Sequence, residues 1–329
     1  MRLTVLEHQH LFAPGRAFGQ CHASTLTRLP DGSLFCAWFG GSQEGASDVC
    51  IYGALQSGER WSAPFLLASG DGEPCWNPVL YTRPDGRTLL YFKRGAPIAR
   101  WRSYVQESQG CLAWSDAREL CPGDEGGVGP VKNKPLPLPD GTLLGPASTE
   151  GADGWRCFAD LSTDGGLHFS RGAEIPMDRR SLSFLGVIQP SFWLDAQGVV
   201  HALMRSGEGV LYASHSLDMG RSWSLAEKTS VPNNNCGIDL CRLDNGLLVL
   251  CHNPVSGNWG PRSPLILSVS QDEGRTFAPL YWLDHVPCEK NETGAEFSYP
   301  AIVSHGNEMD LSYTWKRQTI VHWRLRLDR

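Results

Sequence analysis

Short apolar runs alternate with turn signals along the whole chain, and no stretch keeps a helical period of 3.6 residues. The clearest runs each follow a glycine: Gly32 in PDGSLFCAWF, Gly86 in PDGRTLLYF, Gly141 in PDGTLLG, Gly198 in AQGVVHALM, Gly246 in DNGLLVLC and Gly306 in HGNEMDLSY. Their spacings are 54, 55, 57, 48 and 60 residues. Glycine relieves the positive φ of a tight hairpin, so each site predicts a strand, a turn and a second strand.

A second series falls between these hairpins. The segments STDGGLHF (162–169), SLDMGRSW (216–223) and SQDEGRTF (270–277) share the pattern S-x-D-x-G-x-x-(W/F), and their starts lie 54 residues apart both times. Two degenerate copies, ALQSGERW ending at Trp61 and SQGCLAW ending at Trp114, extend the series toward the N-terminus. Strand-like runs such as VLYASHS and PLILSVS lead into the boxes, which adds a second hairpin to each repeat. Four short strands per repeat and six repeats predict an all-β, six-bladed β-propeller occupying residues 1–329 as one domain. Within each box the Ser and Asp side chains are suited to bond turn backbone, and the aromatic to pack between blades. The box is expected to build structure and not to bind substrate.

Composition narrows the picture. The 36 glycines and 12 tryptophans among 329 residues suit short strands and tight turns, and a net charge of −6 offers nothing to nucleic acid or an anionic membrane. The N-terminal MRLTVLEHQHLFAPG lacks the apolar core of a signal peptide, and no run reaches 18 apolar residues. The 11 cysteines form no C-x-x-C pair and sit mostly in apolar runs, which suits buried thiols in a reducing, cytoplasmic setting. There the sequon at Asn291 carries no glycan. No metal or cofactor is expected.

Propeller sites form where innermost strands converge at one mouth of the central channel. A rim position lies about ten residues before each turn glycine, and these positions are polar or aromatic. They are His22, Trp76 with Asn77, Lys132 with Lys134, Gln189, Asn233 to Asn235, and Glu296 with Tyr299. A fold built for stability alone has little use for such a ring.

With its boxes and six repeats, the chain resembles the sialidases (neuraminidases) over nearly its whole length. That resemblance implies a three-arginine clamp on a substrate carboxylate, an Asp acid/base, and a Tyr nucleophile assisted by Glu. By motif, Arg205 in QGVVHALMRS takes the second clamp position and Arg262 in NPVSGNWGPRSPL the third. Tyr299 in EFSYPAI takes the nucleophile's place. Asp48 in GSQEGASDVCIY takes the acid/base's, with Glu44 of the same loop as a rival. His22 stands where the first clamp arginine belongs, and Gln189 where the assisting carboxylate belongs.

The resemblance implies an exo-glycosidase acting on an acidic sugar, sialic-acid-like or uronic. Arg205 and Arg262 would bind the carboxylate and Asp48 would protonate the leaving oxygen. Tyr299 would attack, with His22 serving as base. Gln189, Trp76, Asn77, Lys132, Asn235 and Glu296 would line the substrate, and Trp76 or Trp259 could stack on a sugar face. Two alternatives stand beside it. A lyase cleaving next to a uronic acid needs no nucleophile and tolerates Gln189. A non-catalytic carbohydrate-binding propeller needs only the ring of Asn, Trp and Arg.

Overall fold

All six turn glycines adopt positive φ, between +62° at Gly306 and +86° at Gly32, and each joins the first and second strands of a blade. A computed structural model of the chain describes residues 1–124, 126–285 and 295–329. Asn291 and Cys288 lie outside the described residues. Blade 1 runs from the channel outward through Gln20–Arg28, Leu34–Gly41, Cys50–Ser57 and Arg60–Trp61, with Phe65–Ala68 also paired to Cys50–Ser57. Blades 2 to 5 repeat the order and begin at Cys75–Thr82, Leu136–Pro137, Val187–Leu194 and Asp239–Arg242. Blade 6 contains Phe297–His305, Glu308–Trp315 and Thr319–Asp328. Its outermost strand is Arg2–His10, which pairs antiparallel with Thr319–Asp328 from Arg2 opposite Asp328 to His10 opposite Val321. The two ends of the chain thus close the ring.

Packing explains why a ring forms. The buried apolar residues fall into six clusters, and each spans one interface between neighbouring blades. A sheet apolar on both faces buries them only when another blade covers each side, and closure gives every blade two neighbours.

The boxes sit on the third-to-fourth strand turns, at the same end of the blades as the turn glycines. In the second box Ser216 Oγ donates to Asp218 Oδ1 at 2.8 Å, while Ser222 N donates to the same oxygen at 2.8 Å and Gly220 N to Ser216 Oγ at 2.8 Å. The other two boxes repeat these bonds. The box glycine has a second duty, since a Cβ on Gly220 would lie 2.9 Å from Leu144 of the preceding blade, and one on Gly274 2.5 Å from Trp193. Trp223 stacks on Phe192 of its own blade's inner strand and packs within the cluster shared with blade 3. Replacing Asp218 by Ala should therefore lower stability by about 1–2 kcal/mol in urea unfolding. Binding at the opposite mouth should be unchanged per folded molecule; loss of binding at unchanged stability would refute a structural role.

Inside the channel a polar plug centres on the buried Asp239. It accepts from Lys134 Nζ at 2.9 and 3.0 Å, from Ser191 Oγ at 2.8 Å and from Ile302 N at 3.0 Å. Segments of blades 3, 4, 5 and 6 are thereby fixed to one another just below the other mouth.

Candidate functional site

The inner strands do not enter this mouth as regular strands. Ala23, Asn77, Gln189, Asn235 and Tyr299 are non-glycine residues at φ between +40° and +59°, one for each of five blades. Four of them coincide with register shifts, between His22 and Thr25, Trp76 and Val79, Ile188 and Ser191, and Ser298 and Ala301. Three precede a proline (Pro78, Pro190 and Pro300), where the left-handed region is more disfavoured still. Each such residue costs of order 1–3 kcal/mol, and a bulge redirects its side chain. Gln189, Asn235 and Tyr299 thereby meet around Arg205.

Tyr299 is the hub. Its hydroxyl accepts from Arg205 Nη1 at 2.5 Å, and the Gln189 amide nitrogen stands 3.5 Å from the same oxygen. The ring lies 4.3 Å from that of His22, and the Arg205 and Arg262 guanidinium carbons are each 5.6 Å from its centroid. Arg205 is only 2% exposed, yet among the described residues no carboxylate lies within ion-pair distance of it. Its partners are neutral: Gln189 Oε1 at 3.0 Å, Asn235 Oδ1 at 2.8 Å and the Tyr299 hydroxyl. The rings of Trp155 and Trp259 flank it at 5.8 and 5.5 Å. A guanidinium whose bonded partners, among the described residues, are dipoles and aromatic faces is suited to receive an anion.

Glu296 occupies the other side of the hub. Its Oε1 accepts from Arg262 Nη1 at 2.6 Å and Ser298 Oγ at 2.5 Å, and its Oε2 accepts from Arg317 Nε at 2.9 Å. Burial disfavours the charged form, but the Arg262 and Arg317 guanidinium groups hold the carboxyl well below its usual range. His22 is fully buried and bonded through Nδ1 to Thr314 Oγ1 at 2.9 Å. Burial, reinforced by Arg317, drives its pKa well below the ordinary value, so the ring is neutral.

Sequence positions and structural positions agree in part. The structure brings His22, Gln189, Arg205, Asn235, Arg262, Glu296 and Tyr299 together, from positions 22 to 299. Arg262, expected to clamp substrate, is instead neutralised by Glu296. His22, expected to act as a base, packs against the Tyr299 ring and has no hydrogen bond to its hydroxyl, its Nδ1 being bonded to Thr314 instead. Lys132, expected to touch substrate, is 3% exposed and points into the channel, where its ammonium donates to Asn133 Oδ1, Ile238 O and Pro300 O. Burial brings its pKa down to about 8.

Asp48 lies on the exposed loop joining the second and third strands of blade 1, with both oxygens on Ser42, at 2.9 Å from N and 2.8 Å from Oγ. Its loop mate Glu44 reaches the hub by accepting from Arg317 Nη1. Trp76 is half-buried, donates to Gly95 O at 3.0 Å and packs edge-on to Trp101, while Asn77 is buried at its bulge. Asp48, Trp76 and Asn77 are not bonded to the Tyr299 group.

Two functional candidates escaped the sequence. Arg317 sits in the three-residue turn 316–318 of blade 6, where Lys316 and Arg317 both adopt positive φ, +51° and +60°. The available signal was a hairpin turn of basic residues with no Gly, Asn or Asp to relieve it. Glu150 is the penultimate residue of the second strand of blade 3, opposite Trp155. Burial raises its pKa against the pull of Arg205, with Glu44 adding to the rise. Trp259 is 58% exposed on the loop carrying Arg262, pinned there by Asn258 Oδ1 accepting from Asn235 Nδ2 at 2.8 Å.

The family model described as a BNR repeat-like domain matches residues 32–312. No curated protein matches the chain significantly. Solved structures of similar fold include a protein of unknown function from Dyadobacter fermentans, 15% identical with a TM-score of 0.77 and covering 99% of both chains. The Hadza microbial sialidase Hz136 is 14% identical with a TM-score of 0.74, covering 94% of this chain and 66% of its own. Trypanosoma rangeli sialidase is 11% identical with a TM-score of 0.74, covering 97% of this chain and 59% of its own. The chain thus spans about two thirds or less of those two sialidases, and what it shares with them at these identities is the propeller.

Proposed function

The chain belongs to the BNR repeat-like family, and from that premise we propose that its channel mouth is a carbohydrate-active catalytic site that takes an anionic sugar. The observation that carries this reading is Arg205, a buried guanidinium whose hydrogen-bond partners among the described residues are all neutral, bonded to a tyrosine hydroxyl at the focus of the inner strands. A sugar ring stacks on the exposed face of Trp259, and its carboxylate meets Arg205.

The Tyr299 oxygen then attacks the anomeric carbon. The bond from that carbon to the leaving oxygen breaks, and Glu150 gives the leaving oxygen its proton. The phenol proton passes to solvent, while Arg205 balances the charge developing on the phenol oxygen. Water, deprotonated by Glu150, next cleaves the tyrosyl–sugar bond, which restores the Glu150 acid, and the departing Tyr299 oxygen takes a proton back from solvent. Glu150 suits the donor's role because burial raises its pKa and so favours its protonated form.

One observation favours elimination as a second reading: the Tyr299 oxygen has Arg205 and Gln189 as neighbours and, among the described residues, no carboxylate bonded to it. In that reaction Tyr299 first gives its phenol proton to solvent, and the resulting phenolate removes the proton next to the substrate carboxylate, which Arg205 makes acidic, while the glycosidic oxygen leaves protonated by Glu150. Incubation with a panel of acidic oligosaccharides separates the two. Uptake of one water per bond cut reports hydrolysis, and an unsaturated, ultraviolet-absorbing product reports elimination. A folded protein that cuts none of them overturns the catalytic reading.

The donor role predicts a pH dependence with a definite sign. Activity needs Glu150 protonated, so turnover falls as pH rises through its raised pKa. In Glu150→Gln the rate should fall about a hundredfold or more and the alkaline limb should disappear. A limb that persists in this variant assigns the proton to another group.

A further inference from the structure

We propose that Asn235 is a positioning residue that holds Arg205 by an uncharged hydrogen bond, and that this amide, standing where a carboxylate of the same shape would fit, sets the site's preference for acidic over neutral sugars. The inference rests on the reading of the mouth as an anionic-sugar site and deepens it. The buried run Asn233, Asn234 and Asn235 ties two elements together. Asn233 Oδ1 accepts from Ser206 N at 3.1 Å, at the end of the strand that carries Arg205. Asn234 Nδ2 donates to Pro261 O at 2.6 Å, in the loop that carries Trp259 and Arg262. Asn235 reaches both elements: its Oδ1 accepts from Arg205 Nε at 2.8 Å and its Nδ2 donates to Asn258 Oδ1 at 2.8 Å. Wholly buried, Asn235 does not line the sugar and acts through Arg205. Its φ of +59° is one that asparagine tolerates better than most residues.

The amide matters because the fold treats its other sheltered cations differently. Lys134 pairs with Asp239, Arg171 with Asp160, and Arg28 and Arg324 with Asp310, and each of those carboxylates is buried. Such pairing is the usual way to offset the burial of a charge. Arg205 is buried more deeply than those cations, yet its bonded partners among the described residues are the amides of Asn235 and Gln189 and the Tyr299 hydroxyl. These occupy Nε and Nη1, and no hydrogen bond among the described residues uses Nη2. Glu150, the acid that Arg205 acts on electrostatically, is pushed toward its neutral form by burial. The guanidinium therefore keeps its charge, and Nη2 as a donor, for a ligand's carboxylate. A carboxylate at position 235 would accept the same bond from Nε but make the pair neutral overall. An acidic sugar would then gain little over its neutral counterpart.

Calorimetric titration with glucuronate and N-acetylneuraminate, each beside its neutral methyl ester, tests this in the natural protein and two variants. The natural protein should bind at least one acid more tightly than its ester. Asn235→Asp keeps the shape and the bond to Arg205, and Asn258 can turn its amide to donate to the new oxygen. Stability in urea should therefore hold or rise, while the ratio of acid to ester affinity falls about tenfold or more. Asn235→Gly accepts the backbone at φ +59° and removes the side chain without adding a charge. It should weaken acid and ester alike and leave their ratio near that of the natural protein. If Asn235→Asp keeps the ratio or loses stability, or if Asn235→Gly loses the ratio, the role of Asn235 is refuted while the anionic-sugar reading stands. If the natural protein binds acid and ester equally, or neither, that reading fails and this inference fails with it.

Discussion

Tyr299→Phe should lower turnover of an acidic oligosaccharide about a thousandfold or more, which is about 4 kcal/mol of barrier, while leaving the fold and substrate binding nearly intact. The variant removes one oxygen. The ring keeps its contact with His22 at 4.3 Å and its places beneath Arg205 and Arg262, and phenylalanine accepts the backbone at φ +53° about as well as tyrosine does. Arg205 retains Gln189 Oε1 and Asn235 Oδ1 as acceptors, so its position holds. Loss of kcat at unchanged KM, with melting temperature preserved, is thus the signature of an oxygen that reacts. If KM rises and kcat holds, the hydroxyl only binds. If neither moves, the chemistry lies elsewhere on the protein.

The turns were legible because each needs a residue type that little else explains. Positive φ at a two-strand corner calls for glycine, and six glycines at near-constant spacing yielded six blades. The offset from those glycines also reached His22, Gln189 and Tyr299, since equal lengths of strand end at equal heights in a closed ring.

Height is not direction, however. Lys132 lies at the right offset but ahead of an inner strand that is only Leu136–Pro137, so nothing orients it to the mouth. Its ammonium turns down to carbonyls of blades 5 and 6. Arg317 and Glu150 escaped for another reason. They flank the connections between second and third strands, which run from a two-residue turn after Gly151 to the long segment between His252 and Leu265. Connections of such unequal length carry no period to follow. The pairing of Arg262 with Glu296 was equally hidden, because 34 residues of sequence separate partners that two adjacent blades bring to 2.6 Å.

Arg205→Met should weaken binding of an acidic sugar by roughly 10- to 150-fold and leave a neutral analogue almost unaffected, while stability holds or rises. The first part follows from charge-assisted hydrogen bonds of about 1.5–3 kcal/mol between guanidinium and carboxylate. The second separates a functional arginine from a structural one. A structural arginine repays its burial through a carboxylate partner, and deleting it strands that partner, typically at a cost of about 3–5 kcal/mol. Arg205 has no such partner within ion-pair distance among the described residues. Its removal strands only the neutral oxygens of Gln189, Asn235 and Tyr299, and Asn235 and Gln189 retain other polar neighbours. The fold also sheds the desolvation of a cation that is 2% exposed, and methionine fills the space between Trp155, Trp259 and Tyr299 with apolar volume. Stability gained where function is lost marks a group kept for its ligand. Urea unfolding and calorimetric titration of this variant decide the matter together. A several-degree fall in melting temperature with unchanged affinity for the acid would make Arg205 a strut of the propeller and remove the anion site from the channel mouth.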